Sequence, residues 1–494
     1  MLDAIRKEAN KTYTENGAVT NISTYSDCLD LFSTIGALRK APEKEIINRF
    51  IRAYTEDPGM AMKILFFARD VRGGLGERRV FRTIMKYLAE HKPGSVRKNI
   101  EYFAEYGRFD DLLALMDTAC ERDMLRYISK TLESDLNALE KGEGVSLLGK
   151  WLPSVNASNK DSVKNAKKIA RYLGLSDAEY RKTVVKLRHR IRIIENDLRN
   201  KDYSFDYSKL TSKALFKYRL AFMRNDLERY TDFLKSTEKG ISRMHGDTLM
   251  PYELVDPVLI PDRSGGTFMR SLNETEELSL NTSWASIPDY GDNSSILAVV
   301  DTSGSMYWGD HPYPASVALS LGIYFAERNK GLFHDHFMMF SETPKLIEIK
   351  GDKFSDKLRY IASFNEIGNT NLEAVFELLL SAAADHGITP EEMPSALYII
   401  SDMEFDRCVF NSDSTVYENA KRRFEEKGYA IPRVVFWNVA SRNRQQPVTR
   451  HDQNTVLVSG CSPRLFSLLA GEEPDPYSFM ISIINDPRYE TISA

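Results

Sequence analysis

The apolar run Ile296-Leu297-Ala298-Val299-Val300 ends directly on Asp301-Thr302-Ser303-Gly304-Ser305. Five apolar residues closed by a turn signal read as a strand buried on both faces, and such a strand needs covering helices. The rest of the C-terminal part supplies the pattern. Residues 337–340, 345–349, 396–400, 434–439 and 455–458 read as further strands. Residues 316–328, 372–384 and 419–427 read as helices between them. This alternation predicts a doubly wound α/β domain with a mostly parallel sheet. Ligands of such sheets bind beyond the C-terminal ends of the strands.

Polar residues collect at those strand ends. Asp301, Ser303 and Ser305 follow the first strand, and Ser401-Asp402 follows the strand ending at Ile400. Between them, Ile367-Gly368-Asn369-Thr370-Asn371 forms a loop before a helix. A hard divalent cation needs about six oxygen ligands. Residues two apart on an extended turn point the same way, so the Asp301 carboxylate and the Ser303 and Ser305 hydroxyls can converge. Gly304 permits the sharp bend between them. Thr370 and Asp402 complete a protein shell, leaving a position for water or a partner's carboxylate. The expected ion is Mg2+ or another hard divalent cation such as Mn2+. Taken alone, Asp-x-Ser-x-Ser also reads as a capping turn.

The N-terminal half has a different period. Ile46, Ile47, Phe50, Ile51 and Tyr54 repeat at helical spacing, as do Leu125, Ile128, Leu132, Leu136 and Leu139. Val184, Leu187, Ile191, Ile194 and Leu198 predict one helix near 178–199. About ten short helices joined by short loops suggest a HEAT-like α-helical repeat, as a solenoid or a ring. The chain of 494 residues is too long for one core. It therefore divides into a helical region 1–250, a connecting segment 251–294 and an α/β domain 295–494. The connecting segment is marked by Pro251, Pro257, Pro261, Gly265 and Gly266.

Charge follows the same division. Residues 151–250 carry 22 Lys and Arg against 12 Asp and Glu, a net of +10, whereas residues 251–494 carry a net of −15. A basic middle suits an anionic polymer such as RNA, and equally a solvated helical surface. The candidate RNA contacts are Lys182, Lys186, Arg188, Arg190, Arg192, Lys213, Lys217 and Arg219. Tyr218 and its neighbours are positioned to stack on unpaired bases. Phe216 and Phe222 read as core. Gly144 to Lys150 matches the first part of a P-loop, but Trp151 stands where Ser or Thr should hold magnesium and no strand precedes it. An NTPase is rejected on both grounds.

Asp301, Ser303, Ser305, Thr370 and Asp402 together resemble the metal-ion-dependent adhesion site of von Willebrand factor A-type domains. Asn369 departs from the pattern, because a glycine is common before the threonine. Two N-terminal stretches, Arg69-Asp70-Val71-Arg72-Gly73-Gly74-Leu75-Gly76-Glu77-Arg78 and Tyr106-Gly107-Arg108-Phe109-Asp110-Asp111-Leu112-Leu113, resemble the TROVE/Ro group and an uncharacterised family beside it. Lys150-Trp151-Leu152-Pro153-Ser154 resembles that uncharacterised family in particular. The resemblance implies a TROVE-like helical repeat in 1–250 and a von Willebrand A-type domain in 295–494. In Ro proteins the helical ring binds small noncoding RNAs and the ends of misfolded RNA.

The function expected is a Ro-like RNA-binding scaffold with a metal-dependent adhesion site. The alternative is a protein-interaction scaffold that captures a partner's acidic residue through the ion, without RNA. Catalysis is not expected, because the eight histidines are scattered and no nucleophile–base arrangement stands out. Four isolated cysteines, a charged N-terminus and the lack of an 18-residue apolar stretch point to the cytoplasm and away from a membrane.

Overall fold

The computed structural model describes residues 1–261, 267–291, 295–307, 311–340, 343–364, 369–409, 413–471 and 473–494. The chain forms two compact units. One comprises 1–41, 55–57 and 206–486, and the other comprises 42–54, 58–205 and 487–494. These units cut the chain elsewhere than at residues 250 and 295. The change in sequence character marks where the strands of the main sheet begin, whereas compactness follows packing, and residues 206–250 pack with the sheet-bearing unit.

Every strand among the described residues lies in the first unit. They are β1 (Lys11–Tyr13), β2 (Val19–Asn21), β3 (Leu259–Pro261), β4 (Thr267–Met269), β5 (Ile296–Val300), β6 (His336–Met339), β7 (Lys345–Glu348), β8 (Ala396–Ser401), β9 (Arg433–Asn438) and β10 (Thr455–Ser459). The main sheet has the order β10-β9-β8-β5-β6-β7. All its pairs are parallel except β6 with the edge strand β7. The expected mostly parallel sheet is present, and its strands fall within a residue or two of the apolar runs.

Strand β8 is buried throughout, and β5 and β9 are buried beyond their first residues, because their neighbours are apolar. Trp437 on β9 and Tyr398 on β8 meet Phe325, with ring centroids 5.6 and 5.1 Å away. Phe325 lies on the helix Pro314–Arg328, whose Gly322 permits close approach to β5. A Cβ there would stand 2.5 Å from a methyl carbon of Val300. Close packing of this kind fixes the strand that leads into Asp301.

Two parts of this unit were not foreseen. The N-terminal hairpin β1–β2 belongs to the α/β unit, where the Asn21 and Gln446 backbones exchange hydrogen bonds of 3.0 and 2.8 Å. The segment expected to connect domains is itself structured, holding the helix Pro251–Val255, the antiparallel pair β3–β4 and the helix Glu274–Ala285. Gly265 and Gly266 lie outside the described residues.

The second unit is helical. It includes Glu43–Tyr54 of a longer helix, then Pro58–Arg69, Arg78–His91, Glu121–Glu140, Lys160–Tyr172 and Asp177–Ile191 among its principal helices. The helix expected over 178–199 is broken in two. Arg192 adopts φ +55°, a left-handed cap that ends the first helix, and Ile194–Asn200 starts anew. The apolar series from Val184 to Leu198 keeps helical spacing across this break, which is why it read as continuous.

The family-like motifs form the charged core of this unit. Arg69 and Asp111 are both almost fully buried and pair at 2.7 Å. Arg82 reaches the other Asp111 oxygen at 2.6 Å and Asp110 at 2.8 Å. Arg108 pairs with Asp110, and its backbone N–H donates to Asp111 at 2.9 Å. Gly107 is required beside them, since a Cβ would lie 2.3 Å from the Asp111 carboxylate. Asp70 accepts from Arg488 and from the Tyr489 hydroxyl, and so fastens the C-terminal residues of the chain.

Candidate metal centre

The loop after β5 turns at once because Asp301 caps it. Its Oδ1 accepts the Ser303 N–H at 2.8 Å. Its Oδ2 accepts the Ser401 hydroxyl at 2.6 Å. Strands β5 and β8 are adjacent and parallel, so their C-terminal ends deliver Asp301 and Ser401-Asp402 to one place. Ser303 and Ser305 hydroxyl oxygens stand 3.1 Å apart, and Ser305 donates to Asp402 Oδ2 at 2.8 Å. Four of the five expected ligands are thus joined by hydrogen bonds, Asp301 through the Ser303 N–H and the other three through side chains.

Thr370 is the fifth. It is buried, and Asn371 beside it caps the helix Leu372–His386 by accepting the Ala374 N–H at 3.0 Å. The Thr370 carbonyl accepts the Asp406 N–H at 2.9 Å, which ties this loop to the one following β8. Its hydroxyl is not hydrogen-bonded to the other four. Ile367 and Gly368 of the same motif lie outside the described residues.

The two carboxylates at the strand ends bear on each other. Asp301 is completely buried, and burial together with the nearby Asp402 carboxylate pushes its pKa up to about 7. Hydrogen bonds from Ser401 and Ser303 offset part of that shift. The Thr302 hydroxyl is buried with no hydrogen-bond partner among the described residues. The donors are all hard oxygens, which suits magnesium or manganese better than a soft metal. Among the described residues no three His, Cys, Asp or Glu side chains gather as a metal cluster. The candidate donor set is thus two carboxylates, Asp301 and Asp402, and three hydroxyls, Ser303, Ser305 and Thr370.

Three further side chains stand beside the expected ligands. Ser401 orients Asp301, and its place immediately before Asp402 at a strand end is a usable signal. Arg442 donates to Asp402 Oδ2 at 2.9 Å and pairs with Glu15 at 3.1 Å. Glu404 is buried, accepting from the Glu15 backbone N–H and from Asn443 and Gln445. Arg442 and Glu15 lie 427 positions apart, and no local pattern announces them.

The eight candidate RNA contacts are divided between the two units. Lys182, Lys186, Arg188, Arg190 and Arg192 belong to the helical unit, whereas Lys213, Lys217 and Arg219 belong to the sheet-bearing one. Lys182, Lys186 and Arg192 are exposed. Arg188 instead donates to the Gly149 and Leu152 carbonyls at 2.9 and 2.7 Å, and burial lowers its pKa. Arg190 donates to the Gly142 and Glu143 carbonyls. Lys213 pairs with Glu253 at 2.6 Å, and Lys217 donates to the Tyr218 hydroxyl. Arg219 lies 3.9 Å over the Phe216 ring and donates to the Phe216 carbonyl. Phe216 and Phe222 are buried, as their spacing implied.

Comparison with known proteins adds the family. Residues 14–128 and 122–290 match the family described as Domain of unknown function (DUF2828). The chain belongs to the DUF2828 family. Residues 295–475 of this DUF2828 protein match a second description, Domain of unknown function (DUF7788). Uncharacterized protein L728 of Acanthamoeba polyphaga mimivirus is 30% identical, over 96% of this chain and 87% of that one. The crystal structure of the Deinococcus radiodurans Ro (RSR) protein aligns at a TM-score of 0.47 and 16% identity, covering 91% of this chain and 99% of that one. Among the described residues no helix is long and apolar enough to cross a membrane.

Proposed function

We propose that this protein is a binding scaffold whose sheet-bearing unit is a von Willebrand A-type module holding a divalent cation, in the manner of a Ro-like ribonucleoprotein scaffold. The observation that carries this reading is the convergence of Asp301, Ser303, Ser305 and Asp402 at the ends of two adjacent parallel strands. Those four residues, with Thr370, would hold Mg2+ or Mn2+. When bound, the ion would supply a positive charge with an open coordination position for a carboxylate. Asp301 and Asp402 supply the protein's negative charge, and the serine hydroxyls orient them. Hydroxyl ligands without a clustered general base suit binding rather than catalysis.

RNA is the proposed partner of the helical unit, through the exposed Lys182, Lys186 and Arg192 and through phosphates rather than bases. The motif resemblance to the TROVE/Ro group supports this. The HEAT-like repeat and its closure into a ring belong to the same proposal. A second reading is a protein scaffold that takes an acidic partner residue on the ion without RNA. It is favoured by the commitment of Arg188, Arg190 and Arg219 to backbone carbonyls. Crosslinking followed by sequencing of co-purified RNA separates the two. Enrichment of discrete RNAs over a matched control supports the first, and their absence supports the second.

A further inference from the structure

Arg442 already places a cation on Asp402. Its Nη2 is 2.9 Å from Asp402 Oδ2, the same oxygen that accepts the Ser305 hydroxyl. The Asp402 side chain is 2% exposed, whereas that of Arg442 is 40% exposed. The guanidinium therefore reaches in from the surface to a buried carboxylate.

The loop carrying Arg442 is fixed on both sides. The Ser441 N–H donates to the Ala37 carbonyl at 3.2 Å, and the Gln446 N–H donates to the Asn21 carbonyl at 2.8 Å. Asn443 bridges Glu15 and Glu404 at 2.9 Å each. Glu15 sits on the tight turn between β1 and β2 and accepts the other arm of Arg442 at 3.1 Å. Arg442 thus has two carboxylates within reach, one buried in the candidate site and one at the surface.

We infer that Arg442 is a tethered counter-cation that competes with a divalent ion for Asp402, so that metal affinity is set by how readily Arg442 withdraws toward Glu15. This rests on the metal reading above. An arginine cannot give up its charge, so it cannot yield by deprotonation and must move instead. A guanidinium held on Asp402 both occupies a ligand oxygen and repels a doubly charged ion a few ångströms away. Glu15 gives the displaced arm a partner, so withdrawal leaves no unpaired arginine. The N-terminal hairpin, remote in sequence from the site, thereby takes part in its ion affinity.

The test is a Mn2+ titration of the full-length protein, following free Mn2+ by electron paramagnetic resonance, for the wild type, Arg442→Gln and Arg442→Lys. The inference expects Arg442→Gln to bind Mn2+ about tenfold more tightly or better, because the repulsion is gone. It expects Arg442→Lys to stay near the wild type, because the charge remains. Equal affinity in all three proteins overturns the inference and leaves the metal site standing. No Mn2+ bound by any of the three overturns the metal reading and this inference with it. Circular dichroism of each variant confirms that exchange of a surface side chain has not unfolded the protein.

Discussion

Ser305 donates its hydroxyl to Asp402 at 2.8 Å, joining two residues 97 positions apart across the neighbouring strands β5 and β8. The bond exists because parallel strands bring successive crossover loops to the same end of the sheet. Ser305→Ala should cost about 1 kcal/mol or less in stability, as a partly exposed hydroxyl does. It should weaken Mn2+ binding clearly. Urea denaturation and a Mn2+ titration of the same preparation check the two halves together.

The buried Arg69–Asp111 pair predicts a large structural effect far from the strand ends. Asp111→Ala leaves Arg69 charged, buried and without its main partner. Breaking such a pair costs about 3–5 kcal/mol. Denaturant unfolding should show this destabilisation, and Asp110→Ala, at a more exposed site, should be milder.

Much of this architecture was legible in the residues. The strands from Ile296 onward were visible because each is a short apolar run closed by polar punctuation. Asp301, Ser303, Ser305 and Asp402 were visible because strand ends in such sheets converge. Arg442 and Glu15 were not, because their meeting depends on the N-terminal hairpin packing beside β9's outgoing loop. The basic run at 182–192 was legible only in part, for a related reason. Periodicity shows which side chains leave the apolar seam, but not that Arg188 and Arg190 fold back onto the carbonyls of residues 142–152.

Acid–base behaviour gives an independent check on the sheet-bearing unit. Burial raises Asp30 to about 6, although Ser23 and Thr24 donate hydrogen bonds to it. A carboxyl raised in the folded state stabilises most below its unfolded value of about 4, and that contribution is lost as pH rises through about 6. Asp30→Asn does not titrate. Relative to the wild type it should gain up to about 3 kcal/mol between pH 4 and pH 7. Unfolding midpoints at several pH values measure the difference, and a constant gap would contradict it.

For RNA, the informative variant exchanges Lys182, Lys186 and Arg192 together for Glu. These side chains are exposed, so the fold should persist. Removing a cation that pairs with a phosphate should flatten the slope of log affinity against log salt by about one. Arg188→Glu and Arg190→Glu should instead lower the melting temperature, because they remove donors from backbone carbonyls. Salt titrations with a single-stranded RNA, beside thermal unfolding, distinguish an RNA-facing cation from one that supports the fold.

The most direct measurement of the central claim is the thermal unfolding of wild type and Asp301→Ala with and without Mg2+ or Mn2+. An ion that binds only the folded site at a hundred times its dissociation constant adds about 2.7 kcal/mol. The account predicts a rise of a few degrees in the wild type and none in Asp301→Ala. The same rise in both proteins, or no rise in the wild type at millimolar ion, would contradict it.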